Sequence, residues 1–197
     1  MIKIRVLFKK LKILEIGVGG YKDPNKGGAS LRMWKYYFPN SSIYSLDIYD
    51  KSRLQERRIK IFRGSQNDPD SLRNVVEQMG GIDIVIDDGS HINEHVITSF
   101  RTLFPLLAEG GIYAIEDTQT SYWPKFGGDS YDLANPNTIM SFLKALTDGL
   151  NYEEIANKDY QPSYFDKNIV SLHFYHNLAV IYKGKNEEGS NFVHENM

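Results

Sequence analysis

The sequence predicts an α/β fold: a doubly wound, mostly parallel sheet with helices on both faces, finished by an antiparallel hairpin. Three observations carry that expectation. Apolar, β-branched runs recur at fairly even spacing, each ending in a small or acidic residue. Stretches with helical apolar spacing separate them. Near the end of the chain, two apolar runs flank a tight turn.

Taken in order, "KILEIG" (12–17) is the first strand. Leu31, Trp34, Lys35 and Phe38 then share one helical face behind Ser30, the expected N-cap. "SIYSLDI" (42–48) is the second strand and the weaker "IKIFRG" (59–64) the third. Leu72, Val75, Val76 and Met79 form the next helical stripe after "NDPDS", where Asp70 or Ser71 is expected to cap. "IDIVIDD" (82–88) follows as the fourth strand. A third stripe, Val96, Phe100, Leu103 and Leu107, closes at "EGG" and leads into "GIYAIED" (111–117), the fifth.

Residues 118–157 form an insertion after that strand. It opens on "QTSYWPKFGGDSYDLANPN", rich in aromatics, glycine and proline, and passes into a helix, "TIMSFLKALTDGL". A long loop of this composition at the carboxyl end of a strand is expected to act as a substrate lid, with a simple packed excursion as the alternative. "NIVSLHFYHNLAVIYKG" (168–184) reads as two strands about "HN". Five parallel strands and a terminal hairpin make a seven-stranded sheet. That is the class I methyltransferase variant of the Rossmann-like sheet; simple dinucleotide-binding folds lack the hairpin.

The bulk numbers narrow the field. A chain of 197 residues holds one domain comfortably and two only with crowding, so 1–197 is expected to be a single domain. The net charge is −2 with basic residues scattered, which argues against a nucleic-acid surface. Cysteine is absent, which removes disulfides and thiolate metal sites and fits a reducing cytoplasm. In the opening "MIKIRVLFKKLKILEIG" the uncharged "VLF" is too short for a signal-peptide core, and no later run is long enough to span a bilayer. A cytoplasmic protein without a membrane partner is expected.

"LEIGVGG" (14–20) is a strand running into a glycine turn, where Gly17 and Gly19 allow a ligand close to the backbone. The third glycine of a dinucleotide fingerprint would fall at Lys22, so the turn alone is a weak signal. It gains weight from Asp47, an acid closing the second strand, where a carboxylate accepts both hydroxyls of a ribose. Ser65, Gln66 and Asp68 follow the third strand where an adenine edge would lie, although "NDPDS" also reads as a turn and helix cap. With Glu15 two residues before Gly17 and the hairpin at the end, these features favour S-adenosyl-L-methionine over NAD.

Asp87 and Asp88 stand at the carboxyl end of the fourth strand, and Glu116 and Asp117 at the same end of the fifth. If these strands are neighbours, about 4.8 Å apart, the acids crowd one patch. Like charges in a partly desolvated cleft repel, and a divalent cation relieves them. An all-oxygen set with room for water and substrate suits Mg2+, with Mn2+ as the alternative. The competing reading is that the acids are separate caps and surface groups.

"HINEH" (91–95) spells the H-x-x-E-H pattern of inverted zinc peptidases. In such an enzyme both histidines lie well within one helix, whereas His91 falls in the "DGSH" turn and only His95 within the helix. The match is read as coincidence. His91 follows Asp88 by three residues and is expected to lean over the acidic patch, where an imidazole is suited to general-base work; a solvent-facing turn residue is the plainer reading. His95, His173, His176 and His194 have no comparable setting.

The stretch from "SLRMWKYYFPNSSIYSLDIYDKS" through "IDDGSHINEH" to "GGIYAIEDTQTSYWPKFGG", with "SLHFYHNLAVIYKG" at the end, closely resembles the metal- and S-adenosylmethionine-dependent O-methyltransferases of macrolide and polyketide sugars, the mycinamicin and tetracenomycin type. The resemblance covers nearly the whole chain. It implies that Asp88, rather than Asp87, joins Glu116 and Asp117 as magnesium ligands and that His91 is the general base. It places Glu15, Gly17, Gly19, Ser30, Asp47, Ser65, Gln66 and Asp88 on the cofactor side, and implies a glycosylated natural product as acceptor. Tyr122 and Trp123 are expected to wall the acceptor pocket, or else simply to pack. The resembling enzymes carry an N-terminal auxiliary domain that helps build their oligomer, whereas here the catalytic domain begins almost at Met1; acceptor and homo-oligomer both stay open on that account. Two other activities also stay open: metal-dependent methylation of a catechol or other phenolic diol, and cofactor binding without catalysis.

Overall fold

The computed structural model describes residues 9–190. The opening "MIKIRVLF" and His194 lie outside the described residues. Seven strands form one sheet: β1 (Lys12–Ile16), β2 (Ser42–Asp47), β3 (Ile59–Arg63), β4 (Ile82–Asp87), β5 (Leu107–Glu116), β6 (Ile169–Tyr175) and β7 (Leu178–Lys183). Their order is β3-β2-β1-β4-β5-β7-β6. The first five are parallel, and β7 runs antiparallel to both β5 and β6. Asn177 takes a left-handed backbone (φ 62°) at the hairpin turn, a conformation asparagine tolerates. The expected sheet and its hairpin are both present.

Helices cover the two faces. On one side α1 (Ala29–Tyr37) sets Leu31, with Phe38 just beyond it, against Ile13, Ile43 and Ile86. On the other, α2 (Pro69–Met79), α3 (Asn93–Leu103) and α4 (Ile139–Gly149) bury their apolar stripes against Leu14, Val85, Tyr113 and Ile115, while the short α5 (Tyr164–Asn168) leads into β6. Phe100 is the centre of that layer, fully buried with rings of Phe104, Tyr113, Phe142 and Phe165 around it. Such a site is costly to empty: Phe→Ala in a core removes about 3–5 kcal/mol. Among the described residues no helix is long and apolar enough to cross a membrane.

Three local expectations are corrected. Ser30 does not cap α1. Gly28, in left-handed backbone, holds that position, and Ser30 sits in the first turn with its hydroxyl donating to Glu15. Neither Asp70 nor Ser71 caps α2; the Asp68 carboxylate accepts from both of their backbone N–H groups, with Pro69 at the first helical position. One oxygen of Asp68, Oδ1, is thereby engaged with the helix. Leu107 does not extend the third stripe, because Pro105 lies in a short 3-10 turn after α3 and β5 already begins at Leu107, four residues earlier than "GIYAIED".

Candidate active site

Strand order reverses between β1 and β4, so the turns after them part and leave a crevice at their carboxyl ends, the usual ligand position in open α/β sheets. The glycine turn after β1 forms one wall. Gly17 has φ 98°, and a Cβ there would lie 2.2 Å from the Asp88 carbonyl oxygen, so only glycine lets the β1 and β4 turns approach this closely. Behind the turn, Glu15 is 2% exposed and accepts from the Ser30 hydroxyl and from Trp34 Nε1, the latter at 2.6 Å. Burial drives its pKa up to about 7 against those two bonds.

Asp47 closes β2 beside this turn. One carboxylate oxygen accepts from Val18 N at 3.0 Å and the other from Tyr49 N at 2.8 Å. Each oxygen retains a free lone pair, so the carboxylate is oriented by the backbone and still able to receive a hydroxyl. Ser65 serves its own turn by accepting from Asn67 N. Gln66 is buried: Nε2 donates one of its two hydrogens to Asp87, and Oε1 accepts from Ser90 N at 2.6 Å. It braces the turn that carries His91.

The two adjoining acids of β4 have different fates. Asp87 is 1% exposed, below the sheet end, accepting from Ser99, Gln66 and Tyr113. Burial raises its pKa to about 6 in spite of those bonds. It is therefore not part of the acidic patch, which corrects the expectation that both residues crowd there. Asp88, one residue past the strand, opens toward the crevice.

There Asp88, His91 and Asp117 each offer a ligand atom within 4.8 Å of the other two. His91 Nε2 lies 3.3 Å from Asp117 Oδ2 and 3.9 Å from Asp88 Oδ1. Glu116 stays outside that group, at the neighbouring end of β5. Burial first, then the charges of Asp88 and Asp117, raise its pKa, and Asp88 is raised to about 6 by burial and by Asp117. The patch is thus short of positive charge. Two converging half-buried carboxylates and an imidazole fit a divalent cation with further sites left for oxygen ligands. His95 turns away: its Nδ1 is 2.9 Å from Ser90 Oγ, and it takes no part in the group.

No protein-family model matches this chain. It is 50% identical over 182 residues to the mycinamicin VI 2''-O-methyltransferase of Micromonospora griseorubida, covering 92% of this chain and 46% of that enzyme. The demethylmacrocin O-methyltransferase of Streptomyces fradiae is 51% identical over 182 residues, with the same two coverages. The solved structure of the MycE methyltransferase from the mycinamycin pathway, in complex with Mg and SAH, superposes with a TM-score of 0.90 at 48% identity, over 96% of this chain and 50% of that one. Nearly the whole chain is thus homologous to about half of each of these sugar O-methyltransferases. It spans about half the length of the relatives it matches.

Within this methyltransferase fold the insertion after β5 lies on the site. Asp117 is followed by the 3-10 turn Thr118–Tyr122, and Tyr122 and Trp123 are 37% and 48% exposed. Asn93, 1% exposed at the start of α3, ties the insertion down: its Nδ2 donates to the carbonyls of Thr120 and Phe126 and its Oδ1 accepts from Ile139 N. Sequence reasoning missed Asn93, Gln66's bracing role and Trp34's bond to Glu15. Only Trp34 left a signal, since an indole N–H on an apolar helical face needs a partner.

Proposed function

We propose that this chain carries the catalytic site of a metal- and S-adenosylmethionine-dependent O-methyltransferase whose acceptor is a sugar hydroxyl of a glycosylated natural product, acting in the cytoplasm. The convergence of Asp88, His91 and Asp117 beside the glycine turn, in a chain half identical to named sugar O-methyltransferases, supports the reading. On it, the glycine turn with Gly17 and Gly19, Glu15 held by Ser30, and Asp47 bind the cofactor. Asp88 and Asp117 hold Mg2+ (or Mn2+), with Glu116 at the rim. A cation there supplies Lewis-acid polarisation of an acceptor oxygen.

The remaining work belongs to the side chains. Nε2 of His91 takes the proton of the acceptor hydroxyl as its oxygen attacks the methyl carbon in line with the sulfonium. The C–O bond forms, the C–S bond breaks, and S-adenosylhomocysteine leaves. The negative charge of Asp117, 3.3 Å from Nε2, favours the imidazolium that results. The insertion, clamped by Asn93, brings Tyr122 and Trp123 over the acceptor side and keeps water from the reacting atoms.

A transfer assay with S-adenosylmethionine, Mg2+ and parallel panels of glycosylated polyketides and catechols tests this. Methylation of a sugar hydroxyl, abolished by chelator and restored by Mg2+, is the expected result. Transfer to catechols alone would replace the acceptor class. Cofactor binding with no transfer to any panel member would leave a binding module in place of an enzyme.

A further inference from the structure

Asp117 occupies the position from which an acid ordinarily caps a helical turn, yet its side chain makes no capping bond to Thr118–Tyr122. Its two oxygens are divided between other partners. Oδ2 faces His91, and Oδ1 accepts from Gln119 Nε2 at 2.9 Å. The other end of that amide is unusual: Gln119 Oε1 is the one buried side-chain nitrogen or oxygen, among the described residues, without a hydrogen-bond partner. Reversing the amide would set oxygen against oxygen at Asp117, so the orphan atom is the carbonyl and what it lacks is a donor. Buried acceptors left unpaired are rare in native folds and point to a missing partner.

We infer that Gln119 is a positioning residue working from both ends of its amide. Nε2 fixes the rotation of Asp117, so that Oδ2 is presented to the cation and to His91. Oε1 receives a hydrogen from a small molecule bound in the crevice, either the ammonium of the cofactor's amino-acid part or a hydroxyl of the acceptor. The inference rests on Asp88 and Asp117 holding a cation, as proposed above.

Titration calorimetry of Mg2+ into the cofactor-free chain tests the first half. Gln119→Met keeps length and bulk but removes both hydrogen-bonding groups. Its Mg2+ affinity is expected to fall roughly 10- to 100-fold, the usual effect of removing a partner behind a metal ligand. Gln119→Asn, which withdraws the amide by one methylene, is the second variant in case the first does not fold, and the same loss is expected. Unchanged Mg2+ affinity in a folded variant would overturn this half; wild-type protein that binds no Mg2+ would instead sink the proposed function.

The second half is read from the dissociation constant of S-adenosylhomocysteine and the KM of the acceptor, both at saturating Mg2+. A rise of several-fold in the first alone assigns Oε1 to the cofactor, and in the second alone to the acceptor. Neither constant moving would overturn it.

Discussion

His91 Nε2 and Asp117 Oδ2 stand 3.3 Å apart, and both residues hold left-handed backbone, at φ 57° and φ 54°. Neither is glycine, and each such residue costs on the order of 1–2 kcal/mol. The turns after β4 and β5 bear this strain where the two side chains meet. Strain of this kind persists where surrounding structure over-determines it, and here Gln66, Asn93 and Gln119 supply that support.

His91→Ala is therefore expected to lower turnover by roughly 10²- to 10⁴-fold, the usual contribution of a general base. Cofactor affinity should be nearly unchanged, since the ring faces the carboxylates of Asp88 and Asp117 and not the glycine turn, Glu15 or Asp47. Steady-state rates with a verified acceptor and calorimetry with S-adenosylhomocysteine check both parts. A normal rate would remove His91 from the chemistry.

Asp117→Asn and Asp88→Asn each withdraw one of the two converging carboxylates. Mg2+ affinity is expected to drop by at least about tenfold in each, with the Mg2+ dependence of the rate moving to higher concentration. Metal titrations of activity and direct binding check this. The asparagine at 117 retains an oxygen for Gln119, so folding should survive.

Glu15 gives a pH signature. Its folded pKa is raised from 4.5 to about 7, chiefly by burial, so the folded state holds the proton more tightly than the unfolded. Stability of the cofactor-free protein from this group is greatest below pH 4.5 and declines as pH rises toward 7, by up to about 3 kcal/mol. Asp87, raised to about 6, adds to the same slope. Thermal unfolding of Glu15→Gln between pH 5 and 8, in whole units roughly bracketing that window, should show a shallower decline than wild type. Parallel slopes would mean that Glu15 keeps its ordinary pKa.

Asp47→Asn tests the nucleoside side. One oxygen of the pair that accepts from Val18 N and Tyr49 N becomes a donor. Affinity for S-adenosylhomocysteine is expected to fall roughly tenfold or more, a loss typical of charged hydrogen bonds. Mg2+ affinity should not move. Calorimetry of both ligands separates this outcome from general destabilisation.

The sheet was legible because burial on two faces forces continuous β-branched runs, and the terminal hairpin announced itself by two such runs about "HN". Asp88 and Asp117 were legible as acids at adjoining strand ends. Asp87 was misplaced although a signal existed: it is the last paired residue of β4, opposite Ile115, and successive side chains on a strand point to opposite faces. Ser30 was misread because N-cap propensity is a local preference, and the buried Glu15 carboxylate, far off in sequence, claimed its hydroxyl. The bracing amides of Gln66, Asn93 and Gln119 were not legible at all. Their partners lie 21 to 46 residues away for the first two, and for Gln119 only the turn at Asp117 brings donor and acceptor together.

A crystal structure of this chain soaked with Mg2+ and S-adenosylhomocysteine would test the central claim most directly. One ion touching both Asp88 and Asp117, beside a nucleoside whose ribose meets Asp47, is the predicted result. An ion bound elsewhere, or the two carboxylates turned apart around a bound cofactor, would contradict it.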